Sequence, residues 1–202
     1  MVNIGVLAST KATDMQAIID AINSKKLNAV ISVVISNKQD SYALERARKH
    51  NIKAAFIDSK DKERESYDKE VSEELDKNNV ELILMIGYMR IVSPWFVRKY
   101  KNRIMNIHPS LLPAFSGGMD TDVHQEVLNY GCKVTGCTLH FVDESVDAGP
   151  VIMQKAVEIS ENETVDSLKE KVQKAEQGII IQAIDLFDKG KIKIEGRKVI
   201  IK

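Results

Sequence analysis

Five short apolar runs, separated by stretches with helical spacing, constrain this chain more than any other feature. "NIGVLAS" (3–9) precedes "DMQAIIDAINSKK", in which Met15, Ile18, Ile19 and Ile22 recur at helical intervals. "AVISVVIS" (29–36) precedes "DSYALERARKH", with Asp40 or Ser41 placed to cap a helix. "KAAFID" (53–58) leads into a charged amphipathic stretch over 62–78. "VELILMIG" (80–87) is apolar almost throughout, as a strand buried on both faces must be. Ser93 and Pro94 then open a short helix reaching Tyr100, because proline suits a first turn. "RIMNIH" (103–108) is the fifth run. Parallel strands joined by helical crossovers satisfy this alternation. The expected class is α/β: an open, mostly parallel twisted sheet with helices on both faces.

The second half changes character. Residues 109–123 read as a long loop containing Gly117 and Gly118, followed by a short helix over 123–130. "KVTGCTLHFV" (133–142) alternates in polarity, and "VIMQKAVEI" (151–159) follows a tight loop, which predicts antiparallel additions. A long helix is expected over 164–189, capped by Thr164 with Asp166 in its first turn. "KIKIEGRKVIIK" predicts a C-terminal hairpin turning at Glu195–Gly196. No repeat, low-complexity segment or Pro/Gly/Ser linker divides the 202 residues, so a single domain is expected, with parts over 1–108, 109–189 and 190–202.

Composition removes several function classes. Lys plus Arg and Asp plus Glu both number 29, so nothing suggests a basic surface for nucleic acid, and any anion site must be local. No apolar run approaches the roughly 20 residues that span a bilayer. "MVNIGVLAST" carries no charged leader and reads as a first strand, which points to the cytoplasm. Cys132 and Cys137 make neither a disulfide scaffold nor a zinc quartet; they read as small hydrophobes, and no metal is expected.

Chemistry concentrates in "NRIMNIHPSLLPAF" (102–115). Asn106 and His108 stand two apart at the end of a strand and so share a face. The two prolines that follow forbid a helix or central strand and stiffen the exit. In an open parallel sheet, ligands collect beyond the carboxyl ends of the strands. "STKATD" and "GYMRIVSP" reach that end too, and "VDESVDAGP" adds Asp143, Glu144 and Asp147 before Gly149–Pro150. A neutral amide, a titrating imidazole and a loop carboxylate suit acyl transfer, with the carboxylate holding the ring and favouring its charged form. No residue looks like a covalent nucleophile: Ser110 lies in no Gly-x-Ser-x-Gly elbow, and Cys137 sits mid-strand. Direct transfer between two bound substrates follows.

"NIHPSLLPAF", with "HFVDESVDAGPVI" and "GYMRIVSP", resembles the folate-dependent formyltransferases over nearly the whole chain. The resemblance implies a Rossmann-like fold, 10-formyltetrahydrofolate as co-substrate and no metal. It implies glycinamide ribonucleotide of purine biosynthesis as the amine acceptor, small-molecule partners only, and a monomer or homodimer. Residues 1–108 would be a nucleotide-binding half and 109–189 a folate and active-site half. Asn106, His108 and Asp147 would be catalytic: Asn106 and protonated His108 stabilise the oxygen of a tetrahedral intermediate, and Asp147 raises the pKa of His108. Folate would meet Met89, Arg90, Ile91 and Val92 and the loop residues Asp143, Glu144, Ser145 and Val146, with Arg64 at its tail. The ribonucleotide would meet Lys11, Ala12, Thr13 and Asp14, with Glu176 on its ribose hydroxyls. His124 would support the active-site loop, while His50 and His140 read as structural.

One departure bears on the acceptor. Where the family has a glycine-rich phosphate turn, this chain has Ser9-Thr10-Lys11-Ala12-Thr13-Asp14. Asp14 would repel a phosphate unless it turns inward as a cap, and Lys11 would compensate. The alternatives are a formyltransferase for another amine, or an inactive folate- or nucleotide-binding homologue. A methionyl-tRNA formyltransferase would carry a further domain and a basic surface.

Overall fold

The structure, a computed structural model, describes residues 1–117 and 123–202. The long loop expected over 109–123 is therefore followed as far as Gly117, and Gly118 lies outside the described residues. The first half runs β1 (Val2–Leu7), α1 (Thr13–Asn23), β2 (Ala29–Ser36), α2 (Tyr42–Lys49), β3 (Ala54–Phe56), α3 (Arg64–Lys77), β4 (Leu82–Met85), α4 (Pro94–Lys99) and β5 (Ile104–His108). The second half adds α5 (Val123–Tyr130), β6 (Val134–Phe141), β7 (Val151–Glu158), α6 (Val165–Asp188), β8 (Ile192–Glu195) and β9 (Lys198–Ile201).

These elements build one nine-stranded sheet in the order β3-β2-β1-β4-β5-β6-β7-β9-β8. The first five strands are parallel, as the alternation predicts. β6 runs antiparallel to β5, and β7 to β6. β9 joins β7 in parallel at Val151 and Lys198, and β8 closes the edge antiparallel to β9. Two apolar runs overstate their strands. β3 pairs with β2 from Ala54 to Phe56, and β4 ends at Met85, two places before Gly87, which turns at φ 59°. The terminal hairpin turns at Gly196–Arg197, one place later than expected, because Glu195 pairs with Lys198 and Gly196 takes the positive φ the turn needs.

Alternation along the strands sends side chains to both faces. Leu82 and Leu84 of β4 join Met15 and Ile18 of α1 and Leu168 and Ile180 of α6. Ile83 and Met85 join Tyr67 of α3 and Phe96 of α4 on the other face. Each such side chain contributes about 1.5–3 kcal/mol when fully buried. The expected caps form at Ser41, which accepts from the Ala43 N–H, and at Thr164, in a capping box with Ser167. α1 differs: Ala12 precedes it in the left-handed region, φ 45° and ψ 57°, with no side-chain cap. Among the described residues no helix is long and apolar enough to cross a membrane.

β1 leads outward to β2 and β3, whereas β4 and β5 lie on its other side. The connections reverse between β1 and β4, so a crevice opens at their carboxyl ends.

Candidate active site

A cavity of about 650 Å³ occupies that crevice, within the range of small-molecule sites. Met89, Arg90, Ile91 and Val92 form one wall, and Asp143, Glu144, Ser145 and Val146 another. Asn106, His108 and Asp147 lie between them. The wall after β4 is tied to the exit of β1 by Ser9, whose hydroxyl donates to Asn37 Oδ1 at 2.6 Å and accepts from the Met89 N–H at 2.9 Å. Gly87 turns at φ 59°, which favours glycine, and a Cβ there would also crowd Thr10 Oγ1 at 2.2 Å.

The polar cluster is built across the β5–β6 pair. Antiparallel register sets Asn106 opposite His140 and His108 opposite Thr138. Asp147, at φ 51°, reaches in from the following loop. Its Oδ2 lies 3.4 Å from His108 Nδ1 and accepts the Gly117 N–H at 3.1 Å. His108 Nε2–H donates to the Phe115 carbonyl at 2.9 Å. Both ring nitrogens thus face acceptors, so the protonated ring would be held from both sides, by the Phe115 carbonyl and the Asp147 carboxylate.

Burial nevertheless outweighs the carboxylate. It pulls the His108 imidazole below its ordinary range, against the opposing influence of Asp147 and the Phe115 carbonyl. The upward push expected from Asp147 is present, and the net shift at His108 is downward. Asp147 is held below the usual carboxylate range, first by the His140 edge and then by the Gly117 N–H and His108, while its partial burial opposes.

Two contributors escaped the sequence reading. His140, expected to be structural, lines the cavity; its Nδ1 lies 2.9 Å from the Phe141 carbonyl and its Nε2 3.2 Å from Asn106 Nδ2. Thr138 Oγ1 donates to the Ser110 carbonyl at 2.7 Å and accepts from the Leu112 N–H and Gln154 Nε2, both at 3.0 Å, fixing the stiff exit from β5. The Leu112–Pro113 bond in that exit is cis. Thr-x-His on β6 mirrors Asn-x-His on β5, a signal legible only once the two strands are known to be neighbours. Gly149 completes the frame: a Cβ there would fall 1.7 Å from the Phe141 carbonyl oxygen.

Other expected residues are not brought to the cavity wall. Arg64 heads α3 as an exposed residue, close enough to Asp68 to influence its carboxyl. Of the altered turn only Thr10 lines the cavity. Lys11 is exposed, and Thr13 Oγ1 accepts from Gln173 Nε2 at 3.3 Å. Asp14 does turn inward, but as a buried partner of α6, not as a cap. Burial pushes its carboxyl up to about 6, against a hydrogen bond from Gln177. Glu176 is buried beside it and pushed up to about 8, by burial first and then by Asp14, with Lys169 opposing. His124 of α5 and Lys169 of α6 do line the cavity. His50 stays outside it, 3.2 Å from Gln16 Oε1.

A mostly parallel α/β sheet with a carboxamide, an imidazole and a carboxylate over its switch-point crevice defines an enzyme of the acyl-transfer type. The chain matches the Formyl transferase family over residues 2–184 and belongs to it. It is 38% identical over 197 residues to phosphoribosylglycinamide formyltransferase of Escherichia coli, covering 95% of this chain and 90% of that protein. It is 42% identical to the trifunctional purine biosynthetic protein adenosine-3 of Chironomus tentans, covering 96% of this chain but only 14% of that longer protein. Glycinamide ribonucleotide transformylase 1 from Symbiobacterium toebii superposes with a TM-score of 0.94 at 42% identity, covering 100% of this chain and 94% of the other.

Proposed function

We propose that this chain transfers the formyl group of 10-formyltetrahydrofolate to the amine of glycinamide ribonucleotide. The observation that carries the reading is the meeting of Asn106, His108 and Asp147 inside one cavity, between the Met89–Val92 wall and the Asp143–Val146 loop. The folate heterocycle takes the space between those walls, which offer apolar surface and backbone groups. The ribonucleotide approaches from the Thr10 and Lys169 side, where its phosphate meets the N-terminus of α1.

The amine lone pair attacks the formyl carbon, and the carbonyl electrons move to oxygen. His108 in its protonated form, paired with the ionised Asp147, supplies the positive charge that this oxygen needs. The developing oxygen takes the acceptor place at Nε2 that the Phe115 carbonyl holds here. Collapse breaks the bond from carbon to the folate nitrogen, and a proton from the attacking amine passes to that nitrogen. Asp147, held ionised, keeps His108 oriented throughout.

The test is an assay of the purified chain with 10-formyltetrahydrofolate and each of glycinamide ribonucleotide, methionyl-tRNA and an amino-sugar nucleotide. Formylation of glycinamide ribonucleotide alone is expected. Formylation of a different acceptor would reassign the substrate, and turnover with none of them would mark an inactive homologue.

A further inference from the structure

Asn106 Nδ2 lies between two acceptors, His140 Nε2 at 3.2 Å and Asp147 Oδ1 at 3.5 Å. The roles at His140 follow from its other nitrogen. Nδ1 sits 2.9 Å from the Phe141 carbonyl, which can only accept, so Nδ1 carries a hydrogen. In the neutral ring Nε2 is then an acceptor, and the group facing it must be the amino end of the Asn106 carboxamide. His140 Nε2 is 3.6 Å from Asp147 Oδ1, beyond hydrogen-bond reach. The His140 edge still helps to hold the Asp147 carboxyl low, and the Asn106 amino group lies within reach of both. Both Asn106 N–H bonds are thereby directed at protein acceptors. Its oxygen has no hydrogen-bond partner among the described residues and is not sealed off from the cavity that Asn106 lines.

The Phe141 carbonyl that fixes the tautomer is itself held. The Phe141 N–H donates to the Pro150 carbonyl at 2.9 Å, and Gly149 packs against the Phe141 carbonyl oxygen so closely that no Cβ would fit. His140 is 2% exposed, so solvent does not reorient the ring. The sequence from Gly149 to Phe141 to His140 to Asn106 therefore ends on one amide face.

We propose that His140 is a positioning residue: its Nδ1–H tautomer holds Asn106 with the carboxamide oxygen toward the cavity, where it accepts an N–H of the attacking amine. Asn106 then orients the nucleophile's lone pair at the formyl carbon, and donation to the developing oxygen falls to His108. This replaces the oxyanion-donor role that the family resemblance assigns to Asn106. The amine contact rests on the formyl-transfer reading above; the tautomer and the amide orientation do not.

The first arm reads the tautomer directly, from the imidazole nitrogen shifts and couplings of the 15N-labelled wild-type protein at neutral pH. Hydrogen on Nδ1 and a lone pair on Nε2 are expected for His140. Hydrogen on Nε2, alone or on both nitrogens, overturns the proposal whatever the enzyme's activity. The second arm compares His140→Gln, whose amide oxygen can stand in for the Nε2 acceptor, with His140→Leu, which offers none. His140→Gln is expected to retain kcat within about threefold, and His140→Leu to lose about a hundredfold in kcat with both KM values nearly unchanged. Equal losses in the two variants, or full activity in His140→Leu, overturn it. If His140→Leu does not fold, the nitrogen measurement and the retention of kcat in His140→Gln decide. Absence of formyl transfer in the wild type would sink the functional reading but leave the tautomer result standing.

Discussion

At the scale of single residues, the site depends on how one carboxylate is divided among its neighbours. Asp147 serves His108 with one oxygen and Asn106 with the other, and the Gly117 N–H shares the first. Asp147→Asn should lower kcat by at least about a hundredfold with the fold intact, and His108→Ala should do the same. Asp147 is also what pushes the His108 imidazole upward against the downward pull of burial. Its removal should therefore move the alkaline limb of the kcat profile to lower pH. A limb that stays in place in Asp147→Asn would mean His108 is not the titrating donor. Elsewhere strain is stored at Ala12, a non-glycine residue at φ 45° in front of α1. Ala12→Gly should shift stability by less than about 1 kcal/mol in urea unfolding, since relief of the Cβ penalty is set against a buried methyl group and the greater unfolded-state entropy of glycine. Asn106, His108 and Asp147 were legible because strand spacing and loop chemistry announce them locally. His140 was not, because its role is set by a cross-strand partner 34 positions away.

At the scale of elements, the loop after β6 and the face of α6 each carry part of the site. The loop presents Asp147 only because Gly149 lets the chain pass against the Phe141 carbonyl. Gly149→Ala should cost several-fold or more in kcat, together with stability, because the backbone must move to admit the methyl group. Unchanged kinetics in a folded variant would show that Asp147 does not depend on this approach. On α6, Lys169, Gln173 and Glu176 fall four and seven positions apart and so share a face. Lys169 lines the cavity, Gln173 bonds Thr13 of the altered turn, and Glu176 is buried behind it. We propose that the Lys169 cation on this face offsets the absence of the family's glycines. Lys169→Ala should raise the KM for glycinamide ribonucleotide about tenfold while leaving that for folate nearly constant, and the difference should shrink at high salt. Equal changes in both KM values would remove Lys169 from the ribonucleotide side. Strand and helix order was readable from apolar periodicity, whereas the contribution of Lys169 was not: a lysine on an amphipathic helix reads as solvated until the helix is docked.

Across the whole molecule, α1 and α6 pack on the same face of the sheet, and their contact encloses two carboxyl groups. Among the described residues Asp14 Oδ1 has no hydrogen-bond partner, and Cys137 beneath the pair is pushed up to about 12, by burial first and then by the charge of Glu176. Asp14 and Glu176 lie at about 6 and about 8, against ordinary values of 3.8 and 4.5. Both are raised, so between those limits the folded chain binds more protons than the unfolded one. Stability from this pair is then greatest at low pH and falls as pH rises toward 8, the opposite of a salt-bridged carboxylate. Glu176→Gln removes the group with the larger shift and keeps its shape. It should stabilise the fold at pH 8–9 by on the order of a few kcal/mol and flatten the loss of stability between pH 5 and 8. Urea unfolding of wild type and Glu176→Gln across pH 5–9 reads both effects at once. The gap between the two curves should open as pH rises, because only the wild type must ionise a carboxyl beside Asp14. A constant gap would mean that Glu176 is already ionised at pH 5 in the folded protein, and that Lys169 outweighs both burial and Asp14.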